Sequence, residues 1–127
     1  MIGYVTIGTD DLAKAVSFYD AVFGAIGIER KSLDERWAFY GGKDSEGDVG
    51  ICKPFDGQPA RAGNGVMVAF VAPSKDAVGA AHAAGLGAGG SDEGAPGFRP
   101  PDGNGFYGAY LRDPTGNKLC IFTMGGA

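Results

Sequence analysis

The chain is poor in the residues that build most metal and redox sites: its 127 residues include one histidine, His82, and two cysteines, Cys52 and Cys120. No C-x-x-C pair occurs, so neighbouring residues form neither a zinc ribbon nor a dithiol redox motif. Two isolated thiols fit a reduced, cytoplasmic protein. Tryptophan occurs once, at Trp37. Long apolar runs are missing as well, and VMVAFVA from Val66 is far shorter than the roughly 20 residues needed to span a bilayer. The opening MIGYVTIGTDD has no basic lead and ends in acids, which reads as a strand rather than a signal peptide. Positive charge is not gathered anywhere. Eleven Lys and Arg against 15 Asp and Glu leave a net charge of -4, with no stripe able to neutralise phosphates. Nucleic acid and acidic membrane surfaces are therefore poor partners.

Glycine is abundant, with 24 residues where average usage would give roughly nine. Such a chain makes many tight turns and close backbone approaches, as short-strand sheet proteins do. Hydrophobic residues at 44% and charged residues at 20% are globular values, and the length suits a single domain over 1–127.

The order of elements reads as a repeat. GYVTIG is a strand, and from Asp11 onward Leu12, Val16, Tyr19 and Phe23 recur at helical spacing, with Gly24 placed to cap the C-terminus. Short strands follow around 26–33, 36–41 and 48–53. The second half begins with GVMVAFV from Gly65, then a helix with Ser74 as its cap and Ala77, Val78 and Ala81 on its buried side. The strand GFYGAYLR, the turn DPTG and the strand KLCIFT complete it. An offset of 63 residues lays strand on strand and helix on helix, giving β-α-β-β-β modules over 1–55 and 64–127. A strand joined directly to its helix packs its aliphatic side there, so Val5, Ile7, Val68 and Phe70 face helices. Tyr4, Thr6, Met67 and Ala69 face the other way. On the last strand Leu119 and Ile121 share one face, and Lys118, Cys120 and Phe122 the opposite one.

D-L-x-x-x-x-x-F-Y at Asp11 to Tyr19 and D-P-x-G-N-K-L at Asp113 to Leu119, set in this repeat, resemble the vicinal oxygen chelate superfamily. That is the glyoxalase, bleomycin-resistance and extradiol-dioxygenase group. The stretch GAPGFRP from Gly94 resembles one small bacterial branch. The resemblance implies an α+β fold in which two βαβββ modules form a cup-shaped mixed sheet with helices outside, around a small-molecule site, commonly in homodimers. In metal-dependent members three imidazole or carboxylate ligands project into the cup. Their positions here are Tyr4, Met67 and Cys120, none of them His, Asp or Glu. A phenol and a thioether are poor ligands for a hard divalent ion, so no metal or other cofactor is expected. His82, inside the second helix, reads as a packing or surface residue.

Cys120 could be a ligand, a nucleophile or an inert filler, and an apolar strand raises a thiol's pKa, which favours the filler. Met67 reads as a flexible apolar lining. Tyr4 and Tyr110 are candidates to bond a ligand or move a proton, and ordinary buried tyrosines are the alternative. Tyr4, Trp37, Phe106 and Tyr110 form either an aromatic pocket or a plain aromatic core. The Gly/Pro-rich stretch 90–105 is long enough for a lid or binding loop. Its Arg99 either anchors a ligand carboxylate or phosphate, or pairs with Asp92, Glu93 or Asp102. The leading expectation is a small-molecule-binding protein without a catalytic metal. A lyase, isomerase or dioxygenase-like enzyme with a non-standard site, and a non-catalytic dimeric partner module, are the alternatives.

Overall fold

Asp11 and Ser74 begin the two helices by the same chemistry. The Asp11 side chain accepts from the Lys14 backbone N–H at the start of α1 (Leu12–Gly24), and Ser74 accepts from Ala77 at the start of α2 (Lys75–Gly87). Each cap satisfies an amide that would otherwise have no helical partner. A computed structural model describes residues 1–125 and places these caps 63 positions apart, as the repeat requires. The end of α1 differs from expectation. Gly24 is the last helical residue, and Gly27, with φ of 82°, is the one that reverses the chain while the Ile28 N–H reaches back to Phe23 at 3.0 Å. At this helix end it is Gly27, not Gly24, whose backbone needs the left-handed region that glycine enters freely.

Around α1 lie β1 (Val5–Gly8), β2 (Glu29–Leu33), β3 (Trp37–Gly41) and β4 (Val49–Cys52). They form one sheet in the order β1-β4-β3-β2, with β1 parallel to β4 and the other pairs antiparallel. The second sheet repeats this as β5 (Met67–Val71), β8 (Lys118–Met124), β7 (Phe106–Arg112) and β6 (Ser91–Phe98). The architecture is α+β, built of two βαβββ modules. Strand β6 corrects the expectation of a long loop over 90–105. Its register shifts twice, between Asp92 and Gly94 and between Gly94 and Gly97. An edge strand pairs on one side only, so it tolerates the glycines and the proline that made this stretch look like a loop.

One core joins the modules. Phe18, Tyr19, Val22 and Phe23 of α1 are buried with Val78 and Ala81 of α2 and with Leu111, Leu119 and Ile121 of the second sheet. Phe23 meets Phe70 edge-on, with ring centroids 4.8 Å apart. Gly85 lets the elements approach, since a Cβ there would lie 2.7 Å from Leu111 Cδ1. The parity expected of the strands holds: Ile7, Phe70, Leu119 and Ile121 are buried on the helix side, while Thr6, Met67 and Ala69 are exposed on the other.

The two motifs that carried the resemblance meet in space. Tyr19 donates its hydroxyl to Asp113 Oδ2 at 2.7 Å, and Asn117 Nδ2 donates to the same oxygen and to the Gly8 carbonyl. Asp113 Oδ1 accepts the backbone N–H groups of Thr115, Gly116 and Asn117. The turn therefore does more than fix a hairpin register: it ties the first strand and helix to the second module.

Candidate functional site

Helices cover one face of each sheet, and the candidate residues lie on the opposite, open faces. On the first sheet, Asp34 Oδ1 accepts from the backbone N–H groups of Arg36 and Trp37 and so sets the entry to β3. The Trp37 and Phe39 rings lie parallel, 5.1 Å between centroids and 1° between planes. They rest on Gly50, where a Cβ would come within 2.8 Å of Trp37 Cζ3. Tyr4 precedes β1, is 58% exposed and meets Phe39 edge-on at 6.1 Å. At the Trp37 end the chain after β4 walls off a groove of about 700 Å³, lined by Thr6, Arg36, Trp37, Cys52, Phe55 and Arg61 among others. Burial pushes the Cys52 thiol up, and Arg36 pulls it partly back.

On the second sheet, Phe106 stacks on Phe122 with centroids 5.1 Å apart, and Gly108 leaves room for the Phe106 ring. Tyr110 pairs across the ladder with Cys120, and Met67 with Lys118. The Arg99 guanidinium and the Lys118 ammonium each lie 5.6 Å from the Tyr110 ring centroid. Arg99 is held by the Ala95 carbonyl at 2.7 Å and the Phe98 carbonyl at 3.2 Å. Of the two readings of Arg99, pairing with loop acids is not found among the described residues: Asp92 bonds His82 and Glu93 bonds Arg112. His82 is buried, and its Nε2 lies 2.9 Å from Asp92, a contact that fastens α2 to β6 and lowers the Asp92 pKa.

The four expected aromatic residues therefore divide, Tyr4 and Trp37 on one sheet, Phe106 and Tyr110 on the other. Each pair gains a partner that sequence reasoning did not rank, Phe39 and Phe122. Alternation along β8 already sets Phe122 on the Cys120 face, and the same two-residue period along β3 sets Phe39 beside Trp37.

The sequence model of the Glyoxalase/Bleomycin resistance protein/Dioxygenase superfamily matches residues 1–121. The chain belongs to this superfamily. A glyoxalase/bleomycin resistance protein from Albidiferax ferrireducens is 41% identical, with a TM-score of 0.84 over 95% of this chain and 96% of its own. A glyoxalase-related enzyme from Fulvimarina pelagi is 22% identical with a TM-score of 0.71, over 94% and 86% of the two chains. A family enzyme from Burkholderia phytofirmans is 20% identical with a TM-score of 0.69, over 96% and 97%. At those lower identities the likeness is one of fold. No curated protein matches the chain. No helix among the described residues is long and apolar enough to cross a membrane.

The three positions that the resemblance implies for metal ligands hold Tyr4, Met67 and Cys120. Tyr4 is exposed, Met67 is 42% exposed at the start of β5, and Cys120 is buried at 1%. Burial pushes the Cys120 thiol up. The Tyr110 hydroxyl, Arg99 and Lys118 pull it partly back, without cancelling the rise. Burial likewise raises Tyr110 first, with Cys120 adding to it and Arg99 opposing, so its hydroxyl is a donor at neutral pH. A phenol, a thioether and a protonated thiol, with Lys118 beside Met67 and with Lys118 and Arg99 around Cys120, do not fit a divalent cation. Among the described residues no three His, Cys, Asp or Glu side chains gather as a ligand set.

Proposed function

We propose that the protein binds a small aromatic or amphipathic organic molecule on its open sheet faces through shape and apolar contact, without the metal used by metal-dependent relatives. The observation that carries this is the charge at the ligand positions. Lys118 is the cross-strand neighbour of Met67, and with Arg99 it flanks the Tyr110–Cys120 pair. Two fixed cations repel a third and attract an acid group. Parallel aromatic pairs on both sheets supply contact area, with Tyr4, Trp37, Met67, Phe106, Tyr110 and Cys120 as the lining and Arg99 as the anchor for a carboxylate or phosphate. A homodimer, in which a second copy lies over the exposed Met67, Val71 and Met124, accompanies this reading. Light scattering at micromolar concentration should give twice the chain mass.

The test is a thermal-shift screen of small organic acids, amides and alcohols, repeated with zinc, manganese and nickel and with chelator. Organic compounds should raise Tm, and metals and chelator should leave it unchanged. A metal-specific rise in Tm, with no response to any organic compound, would overturn the proposal. An enzymatic version rests on Tyr110 as a proton donor. Tyr110→Phe should then abolish turnover while leaving binding of the same compound within about threefold.

A further inference from the structure

The groove over Trp37 carries charge that the binding reading does not use. Its lining includes three cations, Arg36, Lys53 and Arg61, and one acid, Asp56. None of the three cations has a carboxylate partner among the described residues, where Arg30, Lys31, His82 and Arg112 take the acids within ion-pair distance. Asp56 accepts from the Gln58 backbone N–H, and Asp34, next to the groove, is committed to Arg36 N and Trp37 N. The groove lining thus carries three cations against one acid beside the sole tryptophan, with the Asp34 carboxylate, which Arg36 helps to hold below its usual range, just before it in the chain. The walls are held in place. Arg36 reaches the Lys53 and Pro54 carbonyls at 3.5 and 3.4 Å, Ala60 N–H is pinned to Asp10 at 2.8 Å, and Gly57 N–H closes a turn onto Pro54. Trp37 forms one wall of the groove, its ring backed by Phe39 and seated on Gly50, which offers no side chain there.

We infer that this groove is a binding site for a planar organic anion, with its ring on Trp37 and its acid group toward Arg36 and Arg61. The inference rests on the small-molecule reading above and adds a location and a charge to it. Stacking alone would accept any planar ring. Guanidinium groups select a carboxylate or phosphonate through paired charged hydrogen bonds, and they disfavour an ammonium. At about 700 Å³ the groove is in the range of known small-molecule sites.

Three probes that share one ring separate the terms: 2-naphthoate, 2-naphthamide and 2-naphthylmethylammonium. Affinity is read by calorimetry on the full chain, and location by the single indole N–H resonance of Trp37. The acid should bind about tenfold tighter than the amide and move the Trp37 resonance. That advantage, read as the ratio of acid to amide affinity within each protein, should shrink in 0.5 M salt and in Arg36→Ala/Arg61→Ala. If the amide and the ammonium bind as well as the acid while moving Trp37, the charge assignment fails and small-molecule binding stands. If the acid binds without moving Trp37, the location fails and small-molecule binding again stands. If no probe binds, the inference fails, and the reading beneath it is decided separately by the thermal-shift screen of organic compounds.

Discussion

Asp113 is 4% exposed and accepts five hydrogen bonds, from Tyr19, from the Asn117 side chain and from three backbone N–H groups. A carboxylate so fully surrounded leaves several buried donors unpaired when it is removed. Asp113→Ala should therefore cost about 3 kcal/mol in urea unfolding, well above an ordinary surface change. A loss within about 0.5 kcal/mol would mean that the cluster carries no weight. Cys120 offers a second residue-level test. Burial raises its thiol above the ordinary 9.0, so less thiolate is present at pH 7 than in a free cysteine. Its alkylation by iodoacetamide at pH 7 should be at least about tenfold slower than that of free cysteine, and should quicken as the pH passes 9. Equal rates would remove the inert-filler reading.

The elements depend on glycines that make room rather than turns. Gly90 precedes β6, and a Cβ there would lie 2.5 Å from Phe18 Cε2 and 2.8 Å from the Arg112 carbonyl oxygen. Backbone oxygens of a paired strand cannot give way, so Gly90→Ala should destabilise by about 2 kcal/mol in the same assay. Glycine content pointed to short strands and tight approaches, and the alternation of β1, β5 and β8 assigned the buried faces from sequence alone. Other features stayed hidden for physical reasons. Strand β6 was concealed because its pairing is interrupted at Gly94 and Gly97, which removes the two-residue period a strand is recognised by. The cap at Gly27 was concealed because Gly24 stands closer to the end of the apolar pattern. Arg36 and Arg61 escaped notice because their importance arises from a groove formed between β3 and the connecting chain. That adjacency has no local signature.

At the scale of the molecule, the shared core and the Tyr19–Asp113 bond make the modules one unit. Unfolding should follow a single transition by fluorescence and by circular dichroism, and two separated midpoints would contradict this. Tyr19 and Tyr40 extend the argument to pH. Burial, and then a carboxylate beside each hydroxyl, raises both above the ordinary 10.0. The folded chain thus keeps these protons at pH values where the unfolded chain loses them. The resulting stability is complete below pH 10 and falls as the pH rises beyond it. Tyr19→Phe should flatten that alkaline decline while lowering stability at pH 7. The helices, the motif pair and every strand except β6 were visible in the sequence. Which side chains share an open face within one chain was not, because it depends on how the two modules pack.

Arg99 and Lys118 flank the Tyr110–Cys120 pair, and the proposed binding of organic molecules there proceeds without a metal. Anomalous diffraction from crystals grown with zinc and with manganese tests it directly. No anomalous peak should lie within bonding distance of Tyr4, Met67 or Cys120; an ordered peak coordinated by those side chains would contradict metal-free binding.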